Sequence, residues 1–201
     1  FFHKYKYTKP YIRLKVGVSI DGKIADEKKE SKWITSKESR NFVQELRAEV
    51  NGIITTSNTV ISDNPKMNIR DNQVLKKTIS QPALIILDSK LRVPTKANIF
   101  KTDRLIIIVA DIKYASSTPL RIYKDNVVIK YVKTKNSKIN LKDIYAIAKT
   151  YHLDDLLVES GSIFSATLLS ANAVDEIIYL VAPKILGSKG LTFSGINPIN
   201  K

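Results

Sequence analysis

The 201-residue chain contains no cysteine and only two histidines, His3 and His152. Without cysteine it has no disulfide, no thiolate nucleophile and no cysteine-ligated zinc site, and two histidines argue against a histidine-rich metal site. No apolar run approaches the roughly 20 residues of a membrane-spanning helix, and the first residues lack the apolar centre of a signal peptide. We therefore expect a cytoplasmic protein with no structural metal and no membrane contact.

Glycine is also scarce, with seven residues, and none of them lies in a G-x-G-x-x-G or Walker A pattern. A standard Rossmann or P-loop nucleotide site is therefore not expected. Gly161 stands alone between a predicted strand and a predicted helix, where backbone N–H groups can bind phosphate. An ordinary turn glycine is the other interpretation, and these residues alone leave both open.

Acidic residues are outnumbered: 33 Lys and Arg against 19 Asp and Glu give a formal net charge of +14. Such a balance is typical of proteins that bind nucleic acids or phosphorylated ligands. Here the lysines are scattered and Ile and Asn are plentiful, which favours compositional drift as the source of most of the charge. Arginine is the rarer cation, so Arg47 and Arg70 hint at the bidentate geometry that lysine cannot supply. Ordinary surface positions are the alternative for both.

The first clear strand spans residues 11–20 and runs into the turn Asp21-Gly22. Its apolar and polar residues alternate with a period of two, which predicts one buried face and one polar face. Gly17 lies on the polar face in mid-strand, where a glycine often marks the close approach of a ligand or of another backbone. An edge strand with a convenient glycine is the alternative.

Further strands and helices alternate along the chain, which predicts a single α/β domain with a mostly parallel sheet flanked by helices. Residues 1–10 look like a linker, and residues 11–201 form the predicted domain. Helices are expected at about 36–50, at 141–151 and after Gly161, and polar loops at 25–32, 57–65 and 71–82. The remaining strands are predicted at 52–56, 83–88, 105–110, 126–132, 155–159 and 175–183.

Ligands of parallel sheets bind at the carboxyl ends of the strands, and several polar residues follow the predicted strands there. Glu159 at such an end either recognises N–H donors of a ligand or faces solvent. Trp33, the single tryptophan, either stacks on a flat ring or belongs to the core. The other residues at these ends are Asp21, Gly22, Thr56, Thr59, Asp63, Asp88, Ser89, Ser160, Gly161 and Ser162.

Several motifs in order along the chain strongly resemble the reductase domain of the bifunctional riboflavin-biosynthesis deaminase/reductase. They are residues 10–15 (PYIRLK), 19–23 (SIDGK), 30–35 (ESKWIT), 59–65 (TVISDNP), 87–89 (LDS), 158–161 (VESG) and 182–187 (APKILG). The resemblance implies a dihydrofolate-reductase-like fold. It also implies NADPH-dependent reduction of 5-amino-6-(5-phosphoribosylamino)uracil at C1′ of the ribosyl group, which gives the ribitylamino product.

The resemblance assigns residues to the two ligands. Those expected near NADPH are Gly17, Trp33, Thr59, Asp63, Ser89 and the turn comprising Gly161, Ser162, Ile163, Phe164, Ser165, Ala166 and Thr167. Those expected near the substrate are Lys15, Ser31, Arg47, Met67, Arg70 and Glu159. In this interpretation Arg47 and Arg70 bind the 5-phosphate and Glu159 binds uracil N–H groups.

The catalytic residues implied are Lys15, which would polarise the reacting carbonyl or hold a proton for it, and Asp63 as the next candidate. The resemblance extends to neither the deaminase half nor its zinc ligands, because the chain has no cysteine. A second departure is Ser160-Gly161, where the family commonly has two glycines.

Other functions stay open from sequence alone. They are a related pterin- or folate-type NADPH reductase, a non-catalytic partner of a deaminase, and a basic nucleic-acid-binding domain; for the last, no clustered Lys and Arg with interleaved aromatics is evident beyond residues 1–7. We expect a homodimer, with a separate deaminase as a candidate partner, and no specific nucleic-acid binding.

Overall fold

The computed structural model describes residues 9–28, 34–78, 80–116 and 123–193. It confirms the predicted α/β fold. The strands are β1 (Tyr11–Ser19), β2 (Lys23–Ala25), β3 (Gly52–Thr56), β4 (Ala83–Leu87), β5 (Ile106–Asp111), β6 (Val127–Val132), β7 (Asp155–Val158), β8 (Glu176–Ala182) and β9 (Leu191–Thr192). The helices are α1 (Lys37–Ala48), α2 (Ser57–Asp63), α3 (Asn72–Leu75), α4 (Leu141–Thr150) and α5 (Ser162–Ser170).

Seven strands form one sheet in the order β6-β5-β4-β3-β7-β1-β8, and each neighbouring pair is parallel. Strands β2 and β9 pair separately as a short antiparallel ribbon. Strand β1 is hydrogen-bonded on both sides, to β7 and β8. The alternative that β1 is an edge strand is therefore wrong.

Two apolar clusters cover the two faces of the sheet. One contains the alternate residues of β1 from Ile12 to Val18, together with side chains of α4 and α5. The other contains residues of α1 and α2, such as Leu46 and Val60, packed on β3, β4 and β5. The central strands β4 and β5 are buried throughout, as expected for parallel strands that are covered on both faces. The polar residues of β1 therefore face the α1 side.

Four local predictions need correction. Residues 57–65 are not a loop, because Ser57–Asp63 forms α2, with the Thr56 hydroxyl accepting from the Thr59 amide at its start. Seven residues are too few to show a helical period, which is why the pattern missed α2. Residues 71–82 include the short helix α3, and part of the predicted loop 25–32 belongs to β2. Ile20, predicted on the buried face, is 65% exposed because β1 ends at Ser19.

Candidate functional site

Strand β7 ends early and leaves a notch in the sheet. It pairs with residues 11–14 of β1 and with residues 52–54 of β3, whereas β1 continues to Ser19 and β3 to Thr56. Beyond Val158 the chain turns through Ser160 and Gly161 into α5. The notch therefore lies between the carboxyl halves of β1 and β3, where parallel sheets bind ligands.

Three of the predicted substrate residues meet beside this notch in one buried cluster. The carboxylate of Glu159 accepts two hydrogen bonds from Arg47, Nε to Oε1 at 2.7 Å and Nη2 to Oε2 at 3.0 Å. The ammonium of Lys15 lies 3.2 Å from Glu159 Oε2. The register explains this contact, because Leu14 pairs with Val158 and so sets Lys15 beside Glu159.

Glu159 is ionised in this cluster. Burial alone would raise the pKa of its carboxyl, but the charges and hydrogen bonds of Arg47 and Lys15 outweigh that effect and hold the pKa far below its usual range. The side chain is 6% exposed, so the attraction is little screened by water. Such a carboxylate accepts hydrogen bonds at neutral pH and cannot serve as a general acid.

Arg47 is largely occupied by the protein itself. Besides its two bonds to Glu159, it donates from Nη1 to the carbonyl oxygen of Asn68 at 2.9 Å. Arg70 is more exposed, and its Nη1 donates to Asn68 Oδ1 at 3.1 Å. Burial and the nearby charge of Arg47 lower the pKa of Arg70, so an anion beside it would relieve an unfavourable charge.

The two glycines predicted near the cofactor differ in whether their surroundings require glycine. A Cβ at Gly17 would lie 3.1 Å from Thr35 Cγ2, so glycine lets the segment entering α1 approach β1. Gly161 has φ −77°, which any residue adopts, and a Cβ there would meet nothing within 4 Å. Among the described residues, then, neither backbone conformation nor packing requires glycine at position 161, and the space beside it is open.

The other predicted cofactor residues follow β3, which borders the notch, and its neighbour β4. Thr59 lies in the first turn of α2, with its hydroxyl 3.1 Å from that of Thr56. Asp63 ends α2, and its carboxylate accepts from Ser62 Oγ at 2.8 Å. Ser89 follows β4, and its carbonyl oxygen accepts from the Asp111 amide at 3.0 Å. All three therefore lie on the segments that follow β3 and β4.

Three of the residues predicted to bind substrate or cofactor remain, namely Ser31, Trp33 and Met67. Ser31 and Trp33 lie outside the described residues. Met67 is 4% exposed, with its side chain in the apolar cluster on the α1 side. Its φ of 48° is unusual for a non-glycine residue, and its carbonyl oxygen accepts a hydrogen bond from Arg104.

Sequence reasoning missed Arg104 and a group of lysines. Arg104 is 5% exposed and lies just before β5, where nothing in the local pattern distinguishes it from a surface residue. Lys133, Lys135 and Lys138 line a cavity of about 410 Å³, and Lys138 also lines a second cavity of about 530 Å³ beside α5. The α5 residues lining that cavity include Ser162, Ile163, Ala166 and Thr167, which were predicted near the cofactor. Lys138 lies 24 positions before Ser162, so no local sequence pattern shows that the two residues line the same cavity.

Comparison with known proteins gives one family and several relatives. The family profile described as the RibD C-terminal domain matches residues 10–200. A protein of Buchnera aphidicola from Acyrthosiphon pisum, named 5-amino-6-(5-phosphoribosylamino)uracil reductase, is 36% identical over 166 residues, which are 79% of this chain and 78% of that protein. The riboflavin biosynthesis protein RibD of Buchnera aphidicola from Baizongia pistaciae is 33% identical over 204 residues, covering 94% of this chain and 52% of that protein. The chain thus spans about half the length of the RibD proteins that it matches.

Solved structures give the same fold. Acinetobacter baumannii RibD superposes with a TM-score of 0.81 at 30% identity, covering 98% of this chain and 52% of that one. The Saccharomyces cerevisiae riboflavin biosynthesis reductase Rib7 superposes with a TM-score of 0.72 at 20% identity, covering 97% of this chain and 83% of that one, which supports the fold alone. The predicted dihydrofolate-reductase-like fold is confirmed. No described helix is long and apolar enough to cross a membrane.

Proposed function

The chain belongs to the family of RibD C-terminal domains, and from this premise we propose that it reduces 5-amino-6-(5-phosphoribosylamino)uracil to 5-amino-6-(5-phosphoribitylamino)uracil with NADPH. Membership of this reductase family implies a nicotinamide cofactor. The choice of substrate and of NADPH is our proposal. The sequence relatives and the charged cluster beside the notch support it together.

The observation that carries the proposal is the excess of positive charge around Glu159. Lys15 and Arg47 contact this carboxylate directly, and Arg70 and Arg104 interact electrostatically with both Arg47 and Glu159. Among the described residues, four cations therefore interact with this one carboxylate, two of them by direct contact. A doubly charged phosphate monoester would balance most of this excess, and Arg70 has the exposed guanidinium to bind it in two-pronged geometry.

Glu159 suits a uracil ring for a reason that can be counted. An ionised carboxylate has about four acceptor positions, of which Arg47 takes two and Lys15 takes one. Among the contacts of the described residues, one position on Oε1 is therefore left for a single N–H donor of the ring. We infer that Glu159 accepts one uracil N–H and that Arg47 orients the carboxylate for it, while Arg70 binds the phosphate.

The fold leaves room for the cofactor that the family implies. The open space at Gly161, the first turn of α5 and the cavity beside α5 form the surface that would hold it, with Thr59, Asp63 and Ser89 on the neighbouring segments. When bound, a nicotinamide cofactor supplies the hydride that reduces C1′. We infer that Lys138 contributes to a preference for NADPH, because this lysine lines the cavity beside α5 and its positive charge would attract the additional phosphate.

Lys15 is the group proposed to assist the chemical step. Its ammonium has three N–H donors, and only one contact, that with Glu159, is formed within the described residues. The remaining donors can stabilise negative charge on the sugar oxygen as the ring opens and C1′ is reduced. Asp63 at the end of α2 is the alternative proton-handling group.

The experiment that tests this function follows oxidation of NADPH by absorbance, with the deaminated phosphoribosylaminouracil as substrate. Turnover with product formation verified by mass spectrometry supports the proposal. NADPH and NADH are then titrated by calorimetry against the wild type and Lys138→Gln. We expect tighter NADPH binding that weakens in the variant, and equal or tighter binding of NADH by the wild type would contradict the NADPH assignment.

We also propose that the protein is a homodimer. Strand β8 is at the edge of the described sheet, and Ile177, Tyr179 and Val181 on one of its faces are 43%, 48% and 57% exposed. An apolar edge strand is a ready surface for pairing with a second chain. Sedimentation of the wild type and of Val181→Lys tests this, since a monomeric wild type would contradict it.

A further inference from the structure

Residues 66–70 carry Met67 and Arg70 but form neither helix nor strand. Their backbone groups are held instead by side chains from other parts of the fold. Gln81 bonds both backbone groups of Ile69, each at 2.8 Å, and the Arg70 amide donates to Gln44 Oε1 at 2.7 Å. The conformation of this segment is therefore set by side chains that lie elsewhere in the sequence.

Two arginines hold the carbonyl groups of the same segment. Arg47 donates to the carbonyl oxygen of Asn68. Arg104 donates from Nη1 to the carbonyl oxygen of Met67 at 2.5 Å and from Nη2 to that of Lys66 at 3.0 Å. The guanidinium of Arg104 thus bridges two successive carbonyls at the point where Met67 adopts its left-handed conformation.

This position is a costly one for a cation. Burial and, to a smaller extent, the nearby charge of Arg47 together lower the pKa of Arg104 from 12.5 to about 10. Its described hydrogen bonds go to carbonyl oxygens and none to a carboxylate, and its Nε has no partner among the described residues. An apolar side chain would avoid this desolvation cost. The contribution of the arginine is therefore its hydrogen bonds to the carbonyl groups of residues 66 and 67.

We propose that Arg104 is a positioning residue for substrate, whose guanidinium holds residues 66–70 in the conformation that presents Arg70 to the substrate phosphate. This inference rests on the proposed function for the identity of the substrate. Arg104 acts through Arg70 and need not touch the phosphate. Its loss should therefore affect binding of the phosphorylated ligand, with the chemical step and the cofactor site unchanged.

The test compares Arg104→Met and Arg104→Lys with Arg13→Met, which removes an arginine at the amino ends of the strands. For Arg104→Met we expect an increase of about tenfold or more in the KM of the phosphorylated substrate, the scale for losing a charged hydrogen bond. The kcat and the dissociation constant of NADPH should be unchanged. Arg104→Lys should give a smaller increase because it keeps the charge but loses the bridge, and Arg13→Met should leave KM unchanged.

The double variant Arg70→Ala with Arg104→Met separates positioning from a general loss of structure. If Arg104 acts through Arg70, the double variant has the same KM as Arg70→Ala alone. An increase in KM equal to the product of the two single-variant increases would overturn the proposal. An unchanged KM in both folded Arg104 variants, checked by thermal unfolding, would overturn it as well.

Binding of ribose 5-phosphate by calorimetry makes the result independent of turnover. If the wild type lacks reductase activity, the proposed function fails, but weaker binding of ribose 5-phosphate in Arg104→Met still supports the positioning role. A wild type that does not bind ribose 5-phosphate, or a variant that binds it equally well, would overturn that role.

Discussion

Two charged clusters lie on the same side of β1 and β7. In one of them carboxylates outnumber cations, and in the other cations outnumber carboxylates. At the amino ends of the strands, Arg13 meets three carboxylates, with Asp155 and Glu49 at 2.9 Å and Glu176 at 3.6 Å. Next to it along β1, Lys15 and Arg47 surround the single carboxylate of Glu159. One end of the strand pair is thus rich in negative charge, and the notch is rich in positive charge.

Burial separates the clusters further. Glu49 and Glu176 are 57% and 42% exposed, whereas the side chains of Arg47 and Glu159 are 8% and 6% exposed. Burial raises the pKa of Asp155 and, with the charge of Glu49, outweighs the opposing effect of Arg13. In contrast, the cations around Glu159 override burial and keep it ionised. From this difference we propose that the more exposed cluster stabilises the fold, whereas the buried cluster is preorganised for an anionic ligand.

The largest effect is expected on stability when one partner of the buried cluster is removed. Arg47→Met leaves Glu159 with Lys15 as its one ion-pair partner among the described residues and should cost roughly 3–5 kcal/mol in the free energy of unfolding, the scale for breaking a buried ion pair. Arg13→Met should cost about 1 kcal/mol, because two of its three partners, Glu49 and Glu176, are largely solvated. Urea denaturation measures both, and equal losses would remove the distinction between the clusters.

The next effect concerns catalysis by Lys15. Lys15→Met keeps the length of the side chain and removes its charge, so kcat should fall by roughly 10²-fold, the scale for one preorganised electrostatic group. Steady-state kinetics with circular dichroism as a check on folding provides the measurement, and Arg13→Met is the control with unchanged kcat. If kcat stays within a few-fold of the wild type, Asp63 becomes the leading candidate.

A smaller effect is expected on substrate binding through Arg70. Arg70→Ala should remove a charged hydrogen bond to the phosphate, which contributes about 1.5–3 kcal/mol of binding free energy. The KM of the phosphorylated substrate should therefore rise roughly 10- to 150-fold. The affinity for NADPH, measured by calorimetry, should not change. A normal KM in Arg70→Ala would show that the excess positive charge at the notch does not bind the phosphate.

The smallest effect is expected at Asp21, which belongs to neither cluster. The hydrogen bond from Ser19 and those from the amides of Leu186 and Gly187 lower the pKa of Asp21 from 3.8 to about 2. The folded state binds this proton less tightly than the unfolded state does. Ionised Asp21 therefore stabilises the fold fully at pH values above its unfolded pKa, and this stabilisation is lost as the pH falls from about 4 towards 2. Thermal midpoints over this range should fall less in Asp21→Asn than in the wild type, and parallel curves would contradict the assignment.

Much of the fold could be predicted from local patterns. The alternation in β1 predicted its buried face, and the apolar runs predicted β4 and β5, because burial on one or both faces leaves a direct mark on neighbouring residues. Helix α2 was missed because its seven residues are too short for a helical period, and its capping residue Thr56 also reads as strand.

For the site, the sequence gives the residue types and their order, and the family resemblance predicts Lys15, Arg47, Arg70 and Glu159 as substrate residues. The contacts among these residues depend on the tertiary structure. The pairing of Leu14 with Val158 brings Lys15 to Glu159, Arg47 reaches the same carboxylate from α1, and Arg104 holds the segment that carries Arg70. These contacts join residues far apart in the chain, and burial, which sets their strength, depends on packing that no local pattern specifies.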